Sequence, residues 1–208
     1  DAIGAPAAWD VTTGVSGQTI GVVDTGTILE HEDLVGKDAA GFDFVSDSSS
    51  GNDGDGRDAD YEDPGDGCGQ QEDSFHGTHV AGTILANANN GIGIAGLNWS
   101  ARLVTARTLG CGGGNTVDIM EGVAWLAGEN DIPLDPNDQS GSGPTVPALS
   151  ASLLPRVANL SLGGAGPCDQ FSDEVTHAVT TQAGLMVVVA AGNDGGAVNS
   201  RGNCPSVI

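Results

Sequence analysis

What the 208-residue sequence lacks narrows it before any motif is read. No apolar run approaches the roughly 20 residues of a membrane-spanning helix, and the longest candidate, 185–191, has the length of a strand. Positive charge is nearly absent. Six lysines and arginines, with Lys37 the only lysine, face 28 aspartates and glutamates, for a net charge of −22. A chain this acidic repels phosphate backbones and anionic lipid, so neither nucleic acid nor a membrane is an expected partner. Its solubility must come from carboxylates, a composition compatible with salt tolerance or with cold adaptation. No Cys-x-x-Cys pair occurs: Cys68, Cys111, Cys168 and Cys204 are too widely spaced for such a metal site. An even count at long spacing points instead to two disulfides and an oxidising compartment, with four buried thiols in a reducing one as the competing reading. The chain opens at Asp1 with no initiating methionine and no signal peptide, as expected of a processed secreted protein or of an excerpt.

What is present suffices for a folded domain. Hydrophobic residues make up 38%, while 34 glycines and 9 prolines make the chain loop-rich without reaching the range of ~25–30% where disorder becomes the default. Strand-like segments at Gln18–Asp24, Arg102–Arg107, Val157–Leu162 and Leu185–Ala190 alternate with segments of helical periodicity at His76–Ala88, Thr116–Asn130 and Asp169–Ala183, the last followed by Gly184 as its expected left-handed stop. Nearly unbroken apolar strands alternating with helices predict an α/β fold: three layers, a mostly parallel sheet with helices on both faces. No repeat and no linker divides the chain, so one domain is expected. Two loops interrupt the pattern. Asp53–Asp73 holds nine acids beside the single Arg57, a density that requires either disorder or neutralisation by a cation. Residues 135–152 are rich in Pro, Ser and Gly and read as an exposed insertion.

Ligands of open α/β sheets bind beyond the carboxyl ends of the strands, and three residues fall there. Asp24 ends the first strand before the turn Thr25-Gly26. His76 opens a helix, where the positive end of the dipole favours the neutral ring that a general base needs. Asn193 lies in the turn Ala191-Gly192-Asn193-Asp194-Gly195, with an amide free to donate into the same crevice. Each has a plainer reading, as a strand-end cap, a structural histidine and an αL turn former. Their order along the chain and their common sheet edge favour the functional one.

The surrounding motifs, Val22-Val23-Asp24-Thr25-Gly26, His76-Gly-Thr-His-Val-Ala-Gly-Thr83, Asn159-Leu-Ser-Leu-Gly-Gly164 and Val188-Val-Ala-Ala-Gly-Asn-Asp194, resemble the subtilisin-like serine proteases. Ile3–Trp9 and the acidic loop from Asn52 are most similar to the family's secreted bacterial branch. The resemblance implies a secreted, extracellular endopeptidase acting on proteins or peptides. In it Asp24 orients His76, His76 is the general base and later the general acid, and Asn193 donates to the oxyanion. It also implies that Ser161, Leu162 and Gly163 pair with an extended substrate, while Ala190, Ala191 and Gly192 line an S1 pocket wide enough for a large apolar side chain. His79 reads as structural, and His31 and His177 have no supporting context.

One departure from the family is decisive. Its nucleophile lies in a Gly-Thr-Ser motif, which is absent here, and none of Ser74, Ser161 and Ser206 sits on the tight strand-to-helix turn that the chemistry needs. The chain is therefore expected to be about the N-terminal two thirds of one peptidase domain, incomplete at its C-terminus. Pro205–Ile208 would begin a further strand, and the serine would come from a C-terminal segment of the same domain. Without that segment the chain should not be a stable autonomous domain. A non-catalytic, calcium-stabilised peptide-binding member of the same fold is the alternative. A purely structural acidic module is more remote, because it has no need of Asp24, His76 and Asn193 together.

Carboxylates on alternate residues among glycines suit Ca²⁺, a hard cation taking six to eight oxygens, better than zinc. The expected ligands are Asp53, Asp55, the Arg57 carbonyl and Asp63, with Asp58 or Asp60 next, and the resemblance supports the same metal. A second family site would use Asp33 and the loop near residues 87–94, which is one residue longer here. Of three possible disulfide pairings, Cys68–Cys111 would tie the acidic loop to the segment after the second long strand, and Cys168–Cys204 would close the helix–strand unit carrying Asn193.

Overall fold

In the computed structural model, which describes residues 3–138, 140–198 and 200–208, five parallel strands form a single sheet. They are β1 (Thr19–Asp24), β2 (Asp38–Asp43), β3 (Arg102–Arg107), β4 (Val157–Leu160) and β5 (Met186–Val189), in the order β2-β3-β1-β4-β5. Among the described residues five α-helices accompany them: α1 (Ala5–Trp9), α2 (Ser48–Gly51), α3 (His76–Leu85), α4 (Thr116–Leu126) and α5 (Gln170–Ala178).

Strand alternation builds the layers. On β1, Val22 packs with Leu34, Ala81, Leu85, Ala101 and Leu103 under α3, while its neighbour Val23 packs on the opposite face with Val104, Ala106, Met120 and Val123 under α4. Both valines are wholly buried. At roughly 1.5–3 kcal/mol for each such side chain, a β1 residue on either face contributes to holding a helix in place. The three-layer expectation is met.

Several boundaries differ from the sequence reading. The strand β2 went unread because Asp38-Ala-Ala-Gly-Phe-Asp43 is neither β-branched nor alternating. Its Gly41 is covered by the ring of Tyr61, which a Cβ would meet at 2.3 Å, and the Tyr61 hydroxyl donates to Asp38 Oδ2 at 2.9 Å. β4 stops at Leu160 and not Leu162, and β5 stops at Val189. Helix α3 ends at Leu85, three residues early, because Ala86 turns extended (φ −48°, ψ 144°) and the backbone of Gly96 crosses the helix end. Helix α4 ends at Leu126 and not Asn130, where Gly128 takes φ +98°. Helix α5 runs on as a π-helical turn over Val179–Ala183, and Gly184 closes it at φ +72°, as the sequence indicated.

The acidic loop is ordered by two guanidinium groups. Arg57 is 7% exposed; its Nε donates to the Phe44 carbonyl at 3.1 Å, one terminal nitrogen donates to the Pro133 carbonyl at 3.0 Å, and the group ion-pairs with Asp118 and Glu121 of α4. Arg107, at the end of β3, ion-pairs with Asp43 and Asp53 and donates to the carbonyl of Gly51. Both expected disulfides are formed, Cys68–Cys111 and Cys168–Cys204. At the far edge of the sheet, Ile208 donates to the Val187 carbonyl at 3.0 Å and accepts from the Val189 N–H at 2.9 Å, whereas Pro205 and Ser206, expected in a strand, lie in a turn.

Candidate catalytic site

The strand β1 is flanked by β3 and β4, and the chain crosses from one side to the other between those two strands. Its carboxyl end is therefore a topological switch point, and Asp24 is the residue there. Asp24 is fully buried. Its Oδ1 accepts the N–H of Thr25 at 2.8 Å and meets His76 Nδ1 at 2.7 Å, while its main-chain carbonyl accepts from Thr108 and Leu109 at 2.8 and 3.2 Å.

His76 reaches Asp24 because α3 starts unusually close to the β1 turn. A Cβ on the next residue, Gly77, would lie 2.2 Å from the Gly26 carbonyl oxygen and 3.1 Å from Asp24 Cβ. Only glycine leaves room for that approach. The preceding residue, Phe75, holds a left-handed backbone (φ 47°, ψ 43°), a conformation that costs a non-glycine residue on the order of 1–3 kcal/mol. With Nδ1 on Asp24, the His76 side chain remains 43% exposed, and among the described residues Nε2 has no hydrogen-bond partner. The hydrogen bond to Asp24 raises the His76 pKa; burial opposes it, and the charges of Asp24, Asp66 and Asp63 add to it, leaving the value above 6.5. The carboxylates thus favour the charged ring, the opposite direction to the helix dipole. A cavity of about 390 Å³ opens against the ring, lined by Thr25, Asp66, Ser74, Leu109 and Gly110 among others. Asp66 is held in its charged form: burial works against it, but hydrogen bonds from the Ser74 hydroxyl and N–H pull its pKa down.

The remaining expected residues fall at the same sheet edge but not in contact with the pair. Asn193 is exposed in the turn after β5, and no hydrogen bond joins it to the pair among the described residues. Ser161 and Leu162 are half-buried just past β4, whereas Gly163, Ala190, Ala191 and Gly192 are exposed. The two segments are joined where the Ala190 N–H donates to the Leu160 carbonyl at 3.0 Å. Among the described residues no hydrogen bond joins His76 to Ser74, Ser161 or Ser206. The Ser74 hydroxyl donates to Asp66, Ser161 Oγ accepts from Asn159, and Ser206 Oγ lies 3.3 Å from His177 Nδ1.

The acidic loop does not gather its expected ligands into a cage. Asp53 faces Arg107, Asp63 is buried against Thr25, the Arg57 side chain is drawn inward, Asp55 and Asp60 are exposed and Asp58 is half-buried. Among the described residues no three His, Cys, Asp or Glu side chains are grouped as a metal set. Burial pushes the Asp43 carboxyl up to about 8 although Arg107 pulls it down; Asp53 is also raised by burial, but the Arg107 hydrogen bond and charge bring it below its usual value. Asp33, expected at the second site, accepts from Asn90 Nδ2 at 2.7 Å and from the Ile94 N–H at 2.9 Å. Sequence reading missed Arg107 and the structural use of Thr25 and Asp63. An arginine ending a buried strand was the one available signal, since such a charge needs a partner.

Residues 15–208 match the family described as the subtilase family. The extracellular protease of Xanthomonas campestris pv. campestris is 39% identical over 213 residues, covering 97% of this chain and 34% of that protein. The extracellular basic protease of Dichelobacter nodosus is 40% identical over 199 residues, covering 89% and 30%. The chain thus spans about a third of the length of these relatives. Among solved structures, a protease from Pseudoalteromonas arctica superposes with a TM-score of 0.84 at 38% identity, over 99% of this chain and 59% of that one. With a matching profile over nearly all its length, a buried aspartate bonded to a helix-opening histidine and a five-stranded parallel sheet to hold them, the chain belongs to the subtilase family.

Proposed function

We propose that this chain supplies the base, its orienting carboxylate and an oxyanion donor of a secreted serine endopeptidase, with the nucleophilic serine on a segment downstream. The observation that carries this reading is the 2.7 Å bond between His76 Nδ1 and fully buried Asp24, which leaves the other ring nitrogen on the open side. Asp24 fixes the tautomer with the proton on Nδ1. His76 Nε2 then takes the proton of a serine hydroxyl as that oxygen attacks the scissile carbonyl, and returns it to the leaving amine. Asn193 would donate to the oxygen that becomes negative in the tetrahedral intermediate. The extended substrate would lie along Ser161–Gly163, with its specificity side chain between that segment and Ala190–Gly192. Secretion is supported by two disulfides and by relatives named extracellular proteases.

Calcium binding by the acidic loop is part of the same proposal. It is supported by Asp53, Asp55, Asp58 and Asp60 on a glycine-rich segment, and it requires Asp53 to leave Arg107 or to be shared with it. Bound there, the ion would neutralise the loop; it has no step in peptide hydrolysis. A serine-directed phosphonate tests the catalytic reading. In the active enzyme the label should fall on a serine outside residues 1–208, and replacing His76 should abolish it. A label on Ser74, Ser161 or Ser206 overturns the assignment of the nucleophile. An enzyme that binds peptides but never takes the label favours the non-catalytic alternative.

A further inference from the structure

Asp63 spends both carboxylate oxygens inside the protein. It is 4% exposed; Oδ2 accepts the Thr25 hydroxyl at 2.6 Å and Oδ1 accepts the Gly65 N–H at 3.0 Å. The Thr25 hydroxyl, with its proton directed at Asp63, in turn accepts the N–H of Gly77 at 2.9 Å. That N–H is one of the first donors of α3, which helical bonding leaves without a partner, and Phe75 provides no side-chain cap. The helix carrying His76 is therefore capped by Thr25, a residue of the β1 turn. Thr25 also donates its own N–H to Asp24 Oδ1 at 2.8 Å, the oxygen that meets His76 Nδ1. A single residue thus grips both halves of the pair, the carboxylate through its main chain and the start of the histidine helix through its side chain.

We propose that Thr25, oriented by Asp63, is a positioning residue that sets the Asp24–His76 geometry. A hydroxyl accepts from a fixed direction only while its proton is held elsewhere, and Asp63 is the acceptor that holds it. This role needs no metal on Asp63. It rests on the endopeptidase reading for its effect on turnover, but the geometry itself does not depend on that reading. Neither residue lies in the segments assigned to the substrate, so its loss should appear in kcat and spare KM.

The test uses the complete enzyme, with rates normalised to phosphonate-titrated sites so that misfolded protein is not counted. Thr25→Val keeps the shape and removes the hydroxyl. It should lower kcat about 10- to 100-fold with KM within about twofold, the scale of a sub-ångström misplacement of a reacting group. Thr25→Ser should recover kcat to within about threefold. Because the two residues act as one unit, Asp63→Asn added to Thr25→Val should reduce kcat little further, whereas independent effects would multiply. An undiminished kcat in Thr25→Val, a Thr25→Ser variant as slow as Thr25→Val, or multiplying losses would overturn the proposal. A wild-type enzyme that neither hydrolyses peptides nor takes the label defeats the protease reading instead. The positioning role is then decided by the downfield proton resonance of His76 Nδ1–H. The resonance should persist in Thr25→Ser and be lost or displaced in Thr25→Val, and an unmoved resonance in Thr25→Val refutes the role.

Discussion

The close approach of α3 to the β1 turn can be tested with two glycines of the same helix. Gly77→Ala and Gly82→Ala make the same chemical change, and neither position has positive φ, so backbone strain is not an issue at either. Intrinsic propensity favours alanine over glycine in a helix by about 1 kcal/mol, and Gly82, where a Cβ meets nothing within 4 Å, should show that gain as a higher Tm. At Gly77 the new methyl would sit 2.2 Å from the Gly26 carbonyl oxygen. Ordinary contact requires about 1 Å more, and the obstacle is backbone on one side and the start of a packed helix on the other. The helix must retreat, at a cost of about 1–3 kcal/mol for overpacking, which outweighs the propensity gain. The retreat would lengthen the 2.7 Å contact between His76 and Asp24. Displacement on that scale should lower kcat by about 10²-fold. Thermal melts of both variants and steady-state kinetics of the complete enzyme measure the two effects. A Gly77→Ala protein that melts as high as Gly82→Ala and keeps its kcat would refute the account of how this helix is placed.

Protonation of His76 should switch activity off from the acid side. Because its folded pKa is raised above 6.5, chiefly by the bond to Asp24, kcat/KM should fall as pH drops through a value above 6.5, and Asp66→Asn should move that limb to lower pH. The same raised value means that the stabilisation His76 contributes is complete below its unfolded pKa and lost as pH rises through the folded one, which pH-dependent melts of wild type and His76→Ala compare. Removing calcium with excess chelator should lower Tm and speed cleavage within residues 50–73; an unchanged melt would count against a metal in the acidic loop. Arg57→Ala leaves Asp118 and Glu121 facing an empty, buried site, so denaturant unfolding should show a loss of about 3–5 kcal/mol, and a loss below 1 would mean the pair contributes little.

The layered fold was legible because its signals are local. β1, β3 and the apolar core of β5 carry unbroken runs, and the helices between them repeat at helical spacing, so alternation alone led to a parallel sheet covered on both faces. β2 was illegible for the converse reason: its small residues succeed as a strand only because Tyr61, some twenty positions away, covers Gly41. Asp24 and His76 were legible through their motifs, yet their contact depends on Gly77 and Thr25, which read as an ordinary helix residue and an ordinary turn.

The acidic loop marks the limit most sharply. A run of nine acids around one arginine looks from sequence like a segment in want of a cation. Folding brings it one from outside, the side chain of Arg107, which pairs with Asp53, while the arginine of the loop itself turns away. Arg57 leaves the acids beside it in sequence for Asp118 and Glu121, more than sixty residues on, because those carboxylates lie in a site that excludes water, where an ion pair is stronger. Among the described residues, no ion pair balances the surface acids that remain, Asp55 and Asp60 foremost. A calcium ion would therefore act on a loop already anchored at its base. Chelation should consequently loosen the outer turn around residues 53–60 before it disturbs Asp63 and the Thr25 contact. Hydrogen exchange during chelator titration orders these events, and simultaneous loss of protection at both places would show that the loop and the Asp24–His76 pair unfold as one unit.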